Sequence, residues 1–496
     1  MAGWRGWVKW VAGVCAVMAM AGAGYGDDFQ KSFQVFGAAG MDAGEWENYK
    51  YFTLGEDFSH QWVQDNYVWV GVKADLHPRL QGVFSVMGWL QYNGFPDSML
   101  YSPSTFASDP ITSFNFDHAE AILNLSPNPK DSLVKVEVGL FPFKSNPDSK
   151  DLGDYMFRTG CYPGFIDYYG LDLCSQLGGI HVSNDMCEGW HNDFFLTSEL
   201  HLYPYNDFSL TYLTDFKPFS NNMLDFGAGV QLYRCFSVDN GLTQPKVNPI
   251  GDGPAGGVGD LAPNYYFLES DPFHKDTLFY TYAGTKIQAR IAFDPKPLLG
   301  DVPLLGDMRN VLGQEDLKLY GEAIILGVKN YPADYEFAQN TSTPINEFGY
   351  DKLMQKMPIM MGMNLPAFKI FNLLSVEAEY YGKDYVNTVP TPATGNLMTR
   401  LPLPYDPNVN SGLPYGDPGE IGSTGEYPKS FYYSREAHWK WDLYVKKTLF
   451  GNFNVTALAA KDHSRVATNI AQNVDEEEAF VKDGQWYWTL KFGYNF

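Results

Sequence analysis

Seven basic and five acidic side chains recur on one parity of alternating segments: Lys135, Glu137, Lys286, Arg290, Lys318, Glu322, Glu377, Glu379, Lys440, Asp442, Lys446 and Lys491. The other parity is apolar. Val134, Val136 and Val138 oppose Lys135 and Glu137; Ile287, Ala289, Ile291 and Phe293 oppose Lys286, Gln288 and Arg290. Leu317, Leu319, Ala323 and Ile325 oppose Lys318, Tyr320 and Glu322; Leu374, Val376 and Ala378 oppose Ser375, Glu377 and Glu379. Trp439, Trp441, Leu443 and Val445 oppose Lys440, Asp442, Tyr444 and Lys446. A strand sends successive side chains to opposite faces, so each segment has one ionised face and one greasy face. Ionised rows of mixed sign pair across strands and, where water reaches them, create a field for polar solutes.

A second group sits in one connection. Asp148, Asp151, Asp154 and Arg158 follow the strand end Gly139-Leu140-Phe141-Pro142-Phe143-Lys144. The aspartates lack the ligand spacing of an EF-hand. No zinc pattern of paired Cys or His is present, so the sequence implies no metal and no cofactor. No G-x-S-x-G, H-E-x-x-H, P-loop or dinucleotide fingerprint is present either, and the expectation is not an enzyme.

The elements that carry these groups read as sixteen strands: 31–40, 66–76, 80–92, 114–126, 132–144, 172–183, 192–203, 207–216, 223–236, 277–293, 316–328, 355–366, 372–384, 436–449, 453–463 and 485–496. Short connections with Pro, Gly and Asn, such as His77-Pro78-Arg79 and Gly451-Asn452, alternate with long ones over roughly 93–113, 145–170, 237–275, 329–354, 385–435 and 465–483. The 294–315 segment departs from that alternation.

The last residues alternate as well. Trp486, Trp488, Leu490, Phe492, Tyr494 and Phe496 share one face. Such a ridge needs an apolar partner, and a bilayer provides one. At the other end, Arg5 and Lys9 precede a short apolar run, Val11 to Met20, and the small residues Ala21-Gly22-Ala23. That is a secretory leader over 1–23, too short to span as a helix. No later window offers a membrane helix, leaving 24–496 as one domain. Aromatic residues make up 16% of the chain, enough for two interfacial girdles. The formal net charge of −23 argues against nucleic acid as a partner.

The ending at Tyr494 and Phe496 resembles the closing strand of bacterial outer-membrane barrels, where the terminal aromatic is a signal to the barrel assembly machinery. The strand end Gly139 to Lys144 and its aspartate-rich loop resemble porins, especially the anion-selective type. There such a loop folds inward and narrows the pore. The resemblance implies an all-β fold: a transmembrane antiparallel up-and-down barrel of about sixteen strands, fourteen to eighteen, with short periplasmic turns and long extracellular loops. It implies outer-membrane lipid as surroundings, small hydrophilic solutes as cargo, a homotrimer as assembly, a constriction loop over 145–170 and the twelve ionisable residues as pore lining. Two further readings stand beside it. One is a plugged surface barrel whose long loops bind glycan or envelope components, with Tyr405, Tyr415 and Tyr427 in 385–435 as contacts; the acidic run Asp475 to Glu478 reads as a solvated loop tip or a collector of divalent cations. The other is a secreted β-sandwich that binds polysaccharide.

Cys161, Cys174, Cys187 and Cys235 lie beyond the leader, in a compartment that permits disulfides. The strand parity puts Cys161, Cys174 and Cys235 at the outer rim and Cys187 in a periplasmic turn. Because bridged Cα atoms lie within about 7 Å, Cys161–Cys174 or Cys161–Cys235 is the expected bridge.

Overall fold

The computed structural model describes residues 32–47, 59–60, 62–93, 111–126, 133–157, 175–200, 206–236, 265–268, 278–281, 284–299, 311–325, 357–380, 385–386, 403–404, 439–461, 465–467, 476–478 and 484–496. Sixteen strands form one closed barrel. Numbered along the ring they are β1 (Ser32–Glu47), β2 (Trp62–His77), β3 (Leu80–Asn93), β4 (Ile111–Asn124), β5 (Val134–Phe143), β6 (Ser175–Cys187), β7 (Trp190–Ser198) and β8 (Phe208–Phe216). The ring continues through β9 (Leu224–Phe236), β10 (Gly284–Phe293), β11 (Leu319–Ile325), β12 (Ile359–Asn364), β13 (Leu373–Tyr380), β14 (Trp439–Leu449), β15 (Phe453–Lys461) and β16 (Trp486–Asn495). Each pairs antiparallel with its chain neighbour, and β16 pairs with β1. Short two-stranded pairs, 265–268 with 278–281, 385–386 with 403–404 and 465–467 with 476–478, stand apart from the ring.

Every expected strand has its counterpart, with shifted ends. β1 runs on to Glu47, and β6 runs to Cys187 through an irregularity between Asp185 and Cys187. Within the last long connection, Glu476–Glu478 pairs antiparallel with Arg465–Ala467. A ring of this kind has no second sheet to cover its outer face, which rules out the sandwich reading.

The two faces separate as alternation requires. On β10, Ile287 and Ile291 are about half exposed outside, while Lys286, Gln288 and Arg290 are buried inside. On β14, Trp439, Trp441 and Leu443 are exposed and Lys440 and Asp442 are buried. Outward aromatics gather at both edges. Trp62 meets Trp488 with ring centroids 6.2 Å apart, and Tyr380 meets Trp439 at 5.0 Å, near the long-loop end. Trp190 meets Phe216 at 6.2 Å near the short-turn end. An apolar belt between two aromatic edges is the surface a bilayer requires.

Closure is made by backbone. Gly37 and Phe496 exchange two N–H···O bonds of 2.9 Å, and the Phe496 ring lies over Gly37. A Cβ at Gly37 would stand 2.7 Å from Phe496 Cζ and 2.3 Å from the Trp69 carbonyl oxygen. Gly37→Leu is therefore expected to block the seam and leave unpaired strand edges. The measurement is the folded, heat-modifiable band on a gel. An undiminished band would show that closure does not need this fit.

Candidate functional site

The segment after β5 turns into the barrel. Gly139 has φ 141°, and a Cβ there would stand 2.1 Å from the Ala119 carbonyl oxygen, so only glycine fits against β4. Phe141 and Phe143 then anchor the strand end in the apolar cluster of the interior. Residues 144–157 follow, and most are buried.

The segment closes on itself before it meets the wall. Asp154 Oδ1 accepts from Ser145 N at 2.6 Å, Ser145 Oγ at 2.5 Å and Asn146 N at 2.9 Å. Gly153 and Asp154 both take positive φ, 80° and 59°, which makes the tight turn that brings them back. Lys144 Nζ donates to the Ser149 carbonyl at 2.6 Å.

The wall then grips this turn with carboxylates. Glu322 on β11 accepts from Asp154 N at 2.7 Å, Tyr155 N at 2.8 Å, Asn146 Nδ2 at 2.7 Å and Gln288 Nε2 at 2.5 Å. Glu377 on β13 accepts from Lys150 N at 2.6 Å, Asp151 N at 2.9 Å, Leu152 N at 2.8 Å and the Tyr320 hydroxyl at 2.6 Å. Glu379 accepts from the Tyr155 hydroxyl at 2.8 Å. Lys286 on β10 donates to the Met156 carbonyl at 3.0 Å, and Lys318 is ion-paired with Asp148. Donors aimed at an ionised carboxylate form the stronger class of hydrogen bond. Burial, with Lys144 nearby, lowers the Lys150 ammonium below its usual range.

Apolar contacts complete the seat. Leu152, Tyr155, Met156 and Phe157 pack with Phe195, Leu213, Tyr233, Ile324 and Met360. A Cβ at Gly153 would stand 2.4 Å from Met360 Cε, so this backbone lies directly on the wall. Because β13 is halfway round the ring from β5, the segment crosses the interior from one side to the other.

Of the twelve ionisable residues, Lys286, Lys318, Glu322, Glu377 and Glu379 meet under this segment. Lys440 and Asp442 lie in register beside Glu379 and Glu377. The rest stand elsewhere on the inner wall. Lys135 Nζ is 3.6 Å from Glu137, Lys491 Nζ is 2.7 Å from Asp42, and Lys446 is in register with Leu373 and Thr456. Arg290 is 2.5 Å from Asp215 and 3.5 Å from Asp225.

The aspartates do different work. Asp148 makes an ion pair, while Asp154 builds the turn. Arg158, Cys161 and Cys174 lie outside the described residues, as do the leader and Tyr405, Tyr415 and Tyr427. Cys187 stands exposed beside the tight turn to β7, as its position in the alternation requires. Cys235 Sγ lies exposed at the end of β9, 3.5 Å from the Phe208 carbonyl oxygen.

Sequence reasoning did not single out Ser145, Asn146, Gln288 and Tyr320 as anchors. Gln288 and Tyr320 had a signal, since both sit on the ionised parity. Two further clusters bear on chemistry. His60 Nδ1 is 3.1 Å from Glu45 and 3.3 Å from Glu47, the one trio among the described residues arranged to share a metal ion. His118 Nδ1 is 2.9 Å from Ser85 Oγ and 2.6 Å from Asp117 Oδ2. Both partners share one ring nitrogen, whereas a nucleophile relay uses both.

No family model and no curated protein matches the chain. Among solved structures it is similar to OprB of Pseudomonas putida in a high-pH structure, at 10% identity and a TM-score of 0.47, with 94% of each chain covered. It is also similar to a mutant of the Rh. blastica porin, at 8% identity and a TM-score of 0.38, covering 94% of this chain and 100% of that one. By its own strand pairing, apolar exterior and inward-folded segment, the chain is a closed antiparallel β-barrel of sixteen strands with part of one connection seated in its interior.

Proposed function

We propose that this protein is an outer-membrane channel for passive diffusion of small hydrophilic solutes, narrowed by the segment that follows β5. The observation that carries this reading is the seat of residues 144–157: a connection drawn from the β5 side to β10–β13 and held there by wall carboxylates. An inner wall of mixed charge and an outer belt of apolar side chains accompany it. In this reading the 1–23 leader exports the chain, the short turns face the periplasm and the long loops face outward. Tyr494 and Phe496 address the assembly machinery, and the barrel works without a catalytic step.

Planar-bilayer recording tests it. Reconstituted protein is expected to give stepwise currents, and liposomes carrying it are expected to swell in small sugars with a sharp size limit. Folded, heat-modifiable protein that passes no current would overturn the channel reading. The complete burial of Leu152 and Met156 would then favour the plugged barrel, whose glycan binding should vanish when 385–435 is deleted.

A further inference from the structure

We propose that a ladder of alternating charge on the inner wall, Glu137–His181–Asp193–His191–Asp185, determines the ion preference of the lumen and resets it with pH. The inference rests on the channel reading above.

Register brings the ladder together. Glu137 on β5 faces His181 on β6, and Asp185 on β6 faces His191 on β7. His181 Nδ1 is 2.7 Å from Glu137 Oε2, and its Nε2 is 2.7 Å from Asp193 Oδ1. His191 Nε2 is 3.1 Å from the same Asp193 oxygen, and its Nδ1 is 2.6 Å from Asp185 Oδ1. Each ring therefore offers both nitrogens to carboxylate oxygens. A neutral imidazole has one N–H, and only the imidazolium donates from both nitrogens. All four contacts are hydrogen bonds only when both rings carry charge.

The ladder has a dry end and a wet end. His181 is buried, stacked on Phe195 with ring centroids 4.2 Å apart and planes 6° from parallel. Phe195 in turn touches Phe157 of the inward segment, at 5.1 Å. His191 and Asp185 are over two-fifths exposed, toward the short-turn mouth. The charged groups that face the ladder from neighbouring strands are Glu120 on β4, Lys135 on β5 and Asp215 on β8, the last held by Arg290 on β10.

With both rings protonated, Lys135, His181 and His191 nearly balance Glu120, Glu137, Asp193 and Asp185. Loss of the two ring protons adds two negative charges to the wall. Screening acts over about 8 Å at physiological salt, so an ion passing this mouth feels the change. Carboxylates facing every ring nitrogen favour the charged form, so cation preference is expected to rise as pH climbs above the ordinary histidine range of about pH 5 to 8.

The test is the reversal potential of the full-length protein under a potassium chloride gradient, read across the ordinary histidine range and well above it. Wild type should shift toward cations as pH rises. His191→Gln, at the exposed end, should lose a large part of the shift, and adding His181→Gln should remove it. If burial of His181 prevents the double variant from folding, His191→Gln alone decides the matter. A purely structural ladder would alter stability and leave the pH profile of selectivity in place. Currents whose selectivity moves equally in wild type and His191→Gln overturn this inference alone. A silent bilayer overturns it together with the channel reading.

Discussion

Glu322→Ala combined with Glu377→Ala is expected to raise single-channel conductance several-fold and to admit larger polyethylene glycols, with the barrel still folded. Together the two carboxylates receive five backbone N–H groups of the inward segment, from Lys150, Asp151, Leu152, Asp154 and Tyr155. Hydrogen bonds to a charged group contribute roughly 1.5–3 kcal/mol each, and a buried donor left without a partner costs roughly 1–3 kcal/mol. After the double substitution those donors regain partners by leaving the wall for water. Leu152, Met156 and Phe157 oppose full release through their apolar seat. The polar turn over 145–154 is therefore the part that swings. Single substitutions should give smaller effects, since either carboxylate alone still holds one side of the turn. Lys491→Ala, which breaks a lumenal ion pair with Asp42 away from the segment, should leave the exclusion size unchanged. Wild-type conductance and exclusion size in the double variant would show that these carboxylates do not position the constriction.

Much of this architecture is legible in the sequence, for one physical reason. A wall with water on one side and lipid on the other forces a two-residue period, and strands such as Trp439–Leu449 write it with residues of opposite character. Where both faces carry small residues the period fades. β1 continues past Gly40 through Met41, Ala43 and Gly44, which alternate in nothing a hydropathy pattern detects, so its end at Glu47 was missed. The irregularity between Asp185 and Cys187 similarly hid the end of β6.

The site was legible by half. Gly139 and the Pro-Phe strand end point to a segment that turns inward. Its anchors could not be chosen from the sequence, because Glu377 lies 227 residues from Lys150. Alternation tells which side of the wall a residue occupies but not which of its neighbours the segment covers. Hence Lys286, Glu322 and Glu377, expected as open lining, are buried by it. Asp154 shows the same limit at short range: its carboxylate serves the turn, and only the positive φ at 153 and 154 reveals that.

Val230→Arg is expected to destabilise the barrel in lipid vesicles by about 2–4 kcal/mol, and Phe226→Arg by about 0–1 kcal/mol, because the cost of an outward arginine depends on depth. Both native side chains are about two-fifths exposed on the outer face of β9. Val230 stands near the middle of the strand, opposite Ile287, while Phe226 stands four residues nearer the short-turn edge, opposite Ile291. An antiparallel strand rises about 3.4 Å per residue, so the two positions differ in depth by a good fraction of a hydrocarbon leaflet. In an aqueous setting neither residue would be buried, and both substitutions would fall within the ordinary surface range of about 0.5 kcal/mol. The contrast between the two positions, rather than either value, is the signature of lipid. Unfolding by denaturant in vesicles measures it directly. Equal costs at the two depths, or native protein that stays dissolved without surfactant, would mean that something other than hydrocarbon covers the outer face.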